Sequence, residues 1–312
     1  MRLRWCVSEA EAGWPLRDIL SRRLFLSTAL RIACQRAETI TVDDLPARAH
    51  QRLQAGAQVE VRLPPGRPPE DVLPEEGALT ILYEDEALLA VEKPGGMLTH
   101  PSHAQHRGSL QGLVLGYLRS AGQALCAHPV HRLDRGTGGV VIFAKHPHVQ
   151  ARWMAALRGG QVEKQYEGIA WGAWTPETGE VTLPIARENA INQRRVPRED
   201  GQAALSRYRV LATWRIGEQA VSRVALWPVT GRTHQLRVHS AALGFPLLGD
   251  RLYGTAASQV FSDVLGLSGQ CLHAVQLCFA HPLTGSPLRI VSPARWPEAL
   301  ACPPGEGEEG DG

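Results

Sequence analysis

The loop HRLDRGTGG, residues 131–139, runs directly into the apolar segment VVIFAK, residues 140–145. A charged, glycine-rich loop that meets a buried strand places its polar groups at the edge of a sheet, where clefts form. Asp134 lies between Arg132 and Arg135, and two guanidinium groups favour an ionised carboxylate there. An ionised carboxylate can serve as a nucleophile or a base. A surface loop held by salt bridges explains the same residues, so this stretch alone leaves both interpretations open.

The spacing of other motifs argues against several kinds of site. The glycines of residues 136–139 precede their strand, whereas a dinucleotide-binding loop follows a strand and opens a helix. His234 and His239 are five residues apart, which does not place two metal ligands on one helical face. The six cysteines form no Cys-x-x-Cys pair, so neither a zinc knuckle nor a disulfide framework is predicted. We therefore expect no metal site.

The composition is that of a folded protein. Of the 312 residues, 44% are hydrophobic and 21% are charged. This length accommodates one large domain, or a catalytic domain with a small accessory module. No apolar run approaches the roughly 20 residues that span a bilayer, and the N-terminus lacks the apolar core of a signal peptide. We therefore expect a cytoplasmic protein that does not contact a membrane.

Residues 1–63 are predicted to form a separate small α/β module. Apolar residues at helical spacing predict two short helices, and Ser27 with Thr28 provides a cap for the second. The alternating runs at residues 39–42 and 58–63 predict a small sheet that follows the helices.

The remainder of the chain divides into a linker, a large domain and a tail. Proline blocks helix interiors and sheet ladders, so residues 64–78 are predicted to form an extended, semi-stiff linker. Residues 79–300 are predicted to form an α+β domain with a mixed or antiparallel sheet, because strand runs outnumber helices without regular alternation. Residues 301–312 are rich in Gly and Glu and predict a disordered tail. The predicted strands lie at 79–83, 88–91, 140–144, 167–171, 206–211 and 222–226, and the helices at 109–119, 147–157 and 233–243.

The pattern His-Arg-Leu-Asp-Arg-x-Thr, followed by an apolar strand and Ala-Lys, resembles the signature of the type-A ribosomal-large-subunit pseudouridine synthases. Further blocks match that family in the same order, and the matches together span residues 79–290. These blocks are VEKPGGMLTHP (91–101), VEKQY (162–166), TGRTHQLRVH (230–239), LGDRLYG (248–254), LHA (272–274) and HPLTG (281–285). The chain departs from the family pattern at Glu92, which replaces Asn, and at Gly138, which replaces Ser. The missing hydroxyl removes one potential hydrogen bond, worth about 0.5–1.5 kcal/mol.

The resemblance implies an isomerase that converts uridine to pseudouridine within structured RNA. It identifies Asp134 as the essential aspartate and Arg237 as the arginine that pairs with it. It implies that Tyr166 packs against the extruded uracil with its hydroxyl placed to take a proton, that Arg132 enters the vacated space, and that Leu277 lies beneath the ring. The other predicted substrate-binding residues are His131, Thr137, Arg232, His234 and Gln235. The reaction includes no redox, hydrolytic or group-transfer step, so no cofactor is expected.

The N-terminal module resembles the alpha-L RNA-binding domain, although Pro15-Leu16-Arg17-Asp18 stands where that family has an Arg-Leu-Asp run. Ribosomal RNA is therefore the expected partner, with transfer RNA as the alternative, and the protein is expected to be a monomer. A second basic contact is expected from an arginine-rich loop. Its arginines are Arg187, Arg194, Arg195 and Arg198.

Two other functions remain open on the sequence. One is a non-catalytic RNA-binding protein on the same scaffold, although pure binding would not require Asp134, Tyr166 and Arg237 together. The other is a hydrolase that uses His131 or His234 with Asp134. The chain contains neither a Gly-x-Ser-x-Gly motif nor a cysteine in a recognisable nucleophile context.

Overall fold

In the computed structural model of the chain, the described residues are 1–69, 71–102, 105–124, 126–189, 192 and 194–301. The predicted tail therefore lies outside the described residues except for Ala301. No helix among the described residues is long and apolar enough to cross a membrane.

Residues 1–63 contain two helices and a four-stranded antiparallel sheet in the order β1-β4-β2-β3. Their bounds are β1 Arg2–Cys6, α1 Leu16–Arg22, α2 Thr28–Arg36, β2 Ile40–Val42, β3 Leu45–Pro46 and β4 Gln58–Arg62. The Ser27 side chain accepts a hydrogen bond from the Leu30 amide, which confirms the predicted cap. The sequence prediction missed β1, which pairs with β4 more than fifty positions later in the chain. Apolar side chains of the two helices and the sheet pack together in one core.

The proline-rich segment 64–78 contains no helix or strand among its described residues, but it is not a free spacer. The Glu75 amide donates to the Gly112 carbonyl at 2.8 Å. The Glu75 carboxylate accepts a hydrogen bond from the Gly108 amide at 2.8 Å. The prediction of an extended spacer was therefore incomplete, because this segment lies against the helix that includes Gly112.

The larger part of the chain is built on a mixed sheet. The strands are β5 Thr80–Glu84, β6 Leu88–Lys93, β7 His128–Pro129, β8 Gly138–Ala144, β9 Val162–Trp171, β10 Thr178–Val181, β11 Ile185–Arg187, β12 Arg195–Pro197, β13 Ser206–Ile216, β14 Gln219–Pro228, β15 Leu272–Ala280 and β16 Pro287–Val291. The helices are α3 Leu110–Ser120, α4 Pro147–Arg158, α5 Gln235–Ala242 and α6 Ala256–Val264. Eight of the strands follow the order β10-β13-β14-β9-β15-β8-β6-β5, with β7 and β16 added beside β8 and β15.

Strand β8 lies between β15 and β6 in the sheet, and every one of its residues is buried. Alternate side chains of a strand point to opposite faces of a sheet. Val141 and Phe143 accordingly pack in the core that includes α3, whereas Val140 and Ile142 pack with Trp153 of α4. The continuous apolar run after the charged loop is therefore a strand covered on both faces.

All six predicted strands and three predicted helices of this domain are present, and the α+β class with a mixed sheet is confirmed. Strand β15 was missed, although it joins β8 in parallel and β9 in antiparallel pairing. A bulge between Ala274 and Gln276 interrupts its alternation, which explains the weak strand pattern. Helix α5 begins two residues later than predicted because His234 adopts a left-handed backbone conformation, with φ of 58°.

Candidate active site

The loop before β8, the end of β14, the start of α5 and strand β9 enclose a cleft of about 270 Å³. Nine of the ten predicted site residues line it. These are Asp134, Arg237, Tyr166, Arg132, His131, Thr137, Arg232, His234 and Gln235. Loops from distant parts of the chain therefore meet in one place, as the sequence motifs predicted.

The exception is Leu277. It is fully buried and packs in the core that includes Val130 and Trp153, and it does not line the cleft. Leu272, on the same strand, does line the cleft. The place of Leu277 beneath the uracil ring stays a prediction, and Leu272 is the apolar residue of β15 that lines the cleft.

The loop that carries Asp134 is anchored by the end of strand β6. Lys93 is fully buried, and its ammonium group donates hydrogen bonds to the carbonyls of Pro94, Met97 and Arg135, at 2.9, 2.7 and 3.0 Å. Burial lowers the pKa of Lys93 to about 8, although attraction to Asp134 opposes that shift. Lys93, in the VEKPGGMLTHP block, thus joins the loop after β6 to the loop before β8. It also places a buried cation near Asp134.

Arg237 of α5 connects Asp134 to a second carboxylate, that of Asp250 in the LGDRLYG block. Its guanidinium donates two hydrogen bonds to Asp250, at 2.7 and 2.8 Å, and a third to Asp134 Oδ2 at 3.3 Å. Asp250 is buried and also accepts hydrogen bonds from the amides of Leu252 and Tyr253. The two carboxylates raise the pKa of Arg237 against the opposing effect of burial. Asp250 therefore fixes the guanidinium, and the guanidinium in turn faces Asp134.

His234 approaches Asp134 from the other side, with 3.9 Å between its Nε2 and Asp134 Oδ2. Its Nδ1 lies 2.8 Å from the Tyr253 hydroxyl, which also accepts a hydrogen bond from the Arg195 amide at 3.0 Å. When the phenolic proton is donated to His234 Nδ1, a neutral His234 carries its proton on Nε2, facing Asp134. Burial lowers the pKa of His234, which favours this neutral form.

Tyr166 of β9 is buried but reaches the cleft. Burial and the negative charge of Asp134 both raise its pKa, so the phenol keeps its proton. A protonated hydroxyl readily donates a hydrogen bond. It can take up a proton only if it releases the proton that it already carries. The role implied by the resemblance, taking a proton, therefore requires Tyr166 to act as a relay.

Gln235 and Thr137, both predicted to bind substrate, form hydrogen bonds within the protein. Gln235 uses its full hydrogen-bonding capacity: its carbonyl accepts from Thr230 and from the Arg232 amide, and its NH₂ group donates to Leu205 and Ser206. It therefore shapes the loop before α5 and has no group left for RNA. The Thr137 hydroxyl accepts a hydrogen bond from Gln270 at 3.1 Å.

Gly138 stands where the family pattern has Ser, and it lies against the ring of His273. A β-carbon at Gly138 would lie 2.8 Å from the Nδ1 of His273, closer than side chains approach. The imidazole ring of His273 thus occupies the space of the missing side chain, and its Nε2 lies 2.9 Å from the Ser292 hydroxyl.

His131 is a structural member of the cleft wall. Its Nε2 accepts a hydrogen bond from the Ile142 amide at 3.3 Å, and its ring stacks on Trp153 with centroids 5.7 Å apart. Accepting through Nε2 requires an unprotonated nitrogen, and burial lowers the pKa of His131 to about 3. A residue held in this way does not supply the base of a hydrolase.

This buried histidine predicts a dependence of stability on pH. The unfolded state takes up a proton at His131 below its ordinary pKa of about 6.5, whereas the folded state resists protonation down to about 3. Stability is therefore lost as the pH falls through this window, by up to about 1.4 kcal/mol per pH unit from this group. We expect urea unfolding of His131→Gln to show a shallower pH slope between 7 and 4.5 than the native chain, with exposed His50→Gln as the control. An unchanged slope would contradict this assignment.

The charges that line the cleft are unbalanced. Arg132, Lys164, Arg232 and Arg237 face a single carboxylate, Asp134, among the described lining residues. This excess of positive charge suits a polyanion such as the RNA backbone. Within the described part of the chain, no group of three or more His, Cys, Asp and Glu side chains is arranged to hold a metal ion.

The arginine-rich stretch does not form the loop that was predicted. Arg187 lies in β11 and Arg195 in β12, which pair as a two-stranded antiparallel sheet beside the cleft.

The comparisons with known proteins agree with this site. The family described as RNA pseudouridylate synthase matches residues 87–242. An RNA pseudouridine synthase of Mycobacterium bovis is 34% identical over 96% of this chain and 98% of its own. The ribosomal large subunit pseudouridine synthase D of Pseudomonas aeruginosa is 34% identical over 81% of this chain and 80% of its own.

A solved structure, the human RNA pseudouridylate synthase domain containing 4, is similar with 27% identity and a TM-score of 0.56, covering 69% of this chain and 88% of its own. The sequence motifs, the mixed sheet and the cleft around Asp134 agree with these matches. The chain therefore belongs to the RNA pseudouridine synthase family, among the type-A ribosomal-large-subunit synthases, whose members are isomerases that modify RNA.

Proposed function

We propose that this isomerase modifies uridine in large-subunit ribosomal RNA and that Asp134 carries out the chemistry. The observation that supports this role most strongly is the ion pair of Asp134 with Arg237 inside the basic cleft. Among the described residues, Asp134 is the one carboxylate that lines this cleft. The guanidinium of Arg237 supplies the counter-charge of the carboxylate that attacks or removes a proton.

The reaction exchanges one bond for another without loss of atoms. The bond from ribose C1′ to ring N1 breaks, the uracil rotates, and a bond from C1′ to C5 forms. The proton that leaves C5 is balanced by the proton gained at N1. Asp134 starts this sequence by attacking the ribose or the ring, or by removing a ribose proton.

The base must leave the RNA stack before it reaches Asp134. In the proposed complex the uracil lies against Tyr166, with Leu272 as the apolar contact on β15. Arg132 is exposed at the mouth of the cleft and enters the space that the base leaves. The protonated Tyr166 hydroxyl relays a proton near the ring.

Two observations support ribosomal RNA as the substrate. Relatives from Pseudomonas aeruginosa and Vibrio parahaemolyticus carry the name ribosomal large subunit pseudouridine synthase D. The first 63 residues contain ten arginines against seven acidic residues, which suits the RNA-binding module proposed for them. We further propose that the protein acts as a monomer in the cytoplasm.

Carbodiimide mapping of pseudouridine tests the substrate. Total RNA from cells with the gene intact and with the gene deleted is compared position by position. We expect one or a few marks to disappear from large-subunit ribosomal RNA on deletion, with transfer RNA unchanged. Marks that disappear only from transfer RNA would replace the proposed substrate with the alternative.

A further inference from the structure

The arginines of the β11–β12 hairpin and the adjoining loop fall into two groups. Arg194 pairs with Glu188 at 3.7 Å, and Arg198 pairs with Asp200. By contrast, three arginines have no carboxylate within 4.0 Å among the described residues. These are Arg187, Arg195 and Arg232.

The three arginines without a carboxylate partner line one groove of about 420 Å³. Arg232 and Thr233 line this groove and also the catalytic cleft, so the two spaces are adjacent. Asp200 also reaches the groove, but Arg198 already holds its carboxylate. The groove therefore presents an uncompensated positive charge beside the position of the reacting nucleotide.

The positions of Arg187 and Arg195 are unfavourable without a ligand. They are directly opposite each other in the antiparallel pairing of β11 and β12, where like charges destabilise a sheet. The Nε–H of Arg195 is buried and has no acceptor among the described residues. An unsatisfied buried donor costs free energy, and an anion between the two strands would remove both penalties.

We propose that this three-arginine groove is a subsite for a backbone phosphate of a nucleotide next to the extruded uridine. Guanidinium groups bind phosphate oxygens through pairs of hydrogen bonds, and Arg232 is already oriented by the bond from its Nε to the Ala203 carbonyl. This subsite rests on the proposed function, because it places the phosphate relative to the base bound at Asp134. The proposed subsite includes Arg187 and Arg195 but excludes Arg194 and Arg198, which are paired with carboxylates.

Salt-dependent RNA binding tests the assignment. The full chain and the variants Arg187→Gln, Arg195→Gln, Arg194→Gln and Arg198→Gln are titrated with a large-subunit ribosomal RNA transcript by filter binding at several KCl concentrations. We expect Arg187→Gln and Arg195→Gln each to weaken binding roughly 3- to 10-fold and to reduce the slope of log K against log salt by about 1. The matched variants of Arg194 and Arg198 are expected to stay within about twofold of the native chain.

Equal losses in all four variants would overturn the subsite in favour of diffuse attraction, and the absence of loss at Arg187 and Arg195 would also overturn it. Phosphate contacts carry no sequence information, so the same ranking is expected with an unrelated folded RNA of similar length. Binding to that RNA keeps this test separate from the identity of the substrate. The expected order of the four variants in RNA affinity can therefore be tested even if the ribosomal transcript is not modified.

Thermal unfolding without RNA gives an independent readout. Arg187→Gln removes the like-charge pair, so its melting temperature in chloride is expected to equal or exceed that of the native chain. Sulfate at matched ionic strength is expected to raise the melting temperature of the native chain more than that of the Arg187→Gln, Arg195→Gln double variant. An equal rise in both proteins would contradict an anion site at this pair.

Discussion

Asp134→Asn is expected to lower kcat for pseudouridine formation by roughly 10⁴-fold or more while RNA binding persists. An effect of this size follows from removing the group that performs the covalent or proton-transfer step. The amide keeps the shape of the side chain but can neither attack as an anion nor take a proton. Because Asp250 still holds Arg237 through two hydrogen bonds, the cleft is expected to remain folded.

Single-turnover conversion of a large-subunit ribosomal RNA transcript, read by carbodiimide mapping, measures this effect. Filter binding in parallel separates chemistry from affinity. Asp263→Asn is the matched control, because Asp263 forms an exposed ion pair with Arg251 and does not line the cleft. Activity of Asp134→Asn within tenfold of the native chain would exclude Asp134 as the catalytic carboxylate.

Arg237→Met is expected to destabilise the fold by about 3–5 kcal/mol, because it leaves the buried Asp250 without its counter-charge. It is also expected to abolish activity, since Asp134 loses its guanidinium partner. Urea unfolding monitored by tryptophan fluorescence measures the stability, and pseudouridine mapping measures the activity.

The double variant Arg237→Met, Asp250→Asn separates these two effects. The neutral amide at position 250 can still accept the hydrogen bonds from the amides of Leu252 and Tyr253. We therefore expect most of the lost stability to return while activity stays absent. A double variant that is as unstable as Arg237→Met would show that packing of the arginine, rather than its charge, supports this part of the fold.

The sequence predicted the fold class and the motifs that meet at the cleft, but it did not predict every strand around them. The motifs that contain Asp134, Tyr166 and Arg237 were expected to converge, and all three residues line one cleft. Short motifs indicate local chemistry directly, whereas β1 and β15 depend on partners that lie far away in the chain.

The roles of polar residues depended on contacts that spacing does not reveal. Asp250 was visible in the LGDRLYG block, but only the fold places its carboxylate on Arg237. Gln235 belongs to the most complete motif match, yet its hydrogen bonds are all used within the protein. The resemblance paired Arg237 with Asp134, but only the fold shows that Arg237 is buried between two carboxylates.

The most direct test of Asp134 as the catalytic residue is pseudouridine mapping of total RNA from a deletion strain complemented with the native chain or with Asp134→Asn at equal protein levels. We predict that the native chain restores every mark lost on deletion and that Asp134→Asn restores none. Restoration of the same marks by Asp134→Asn would contradict catalysis by this carboxylate.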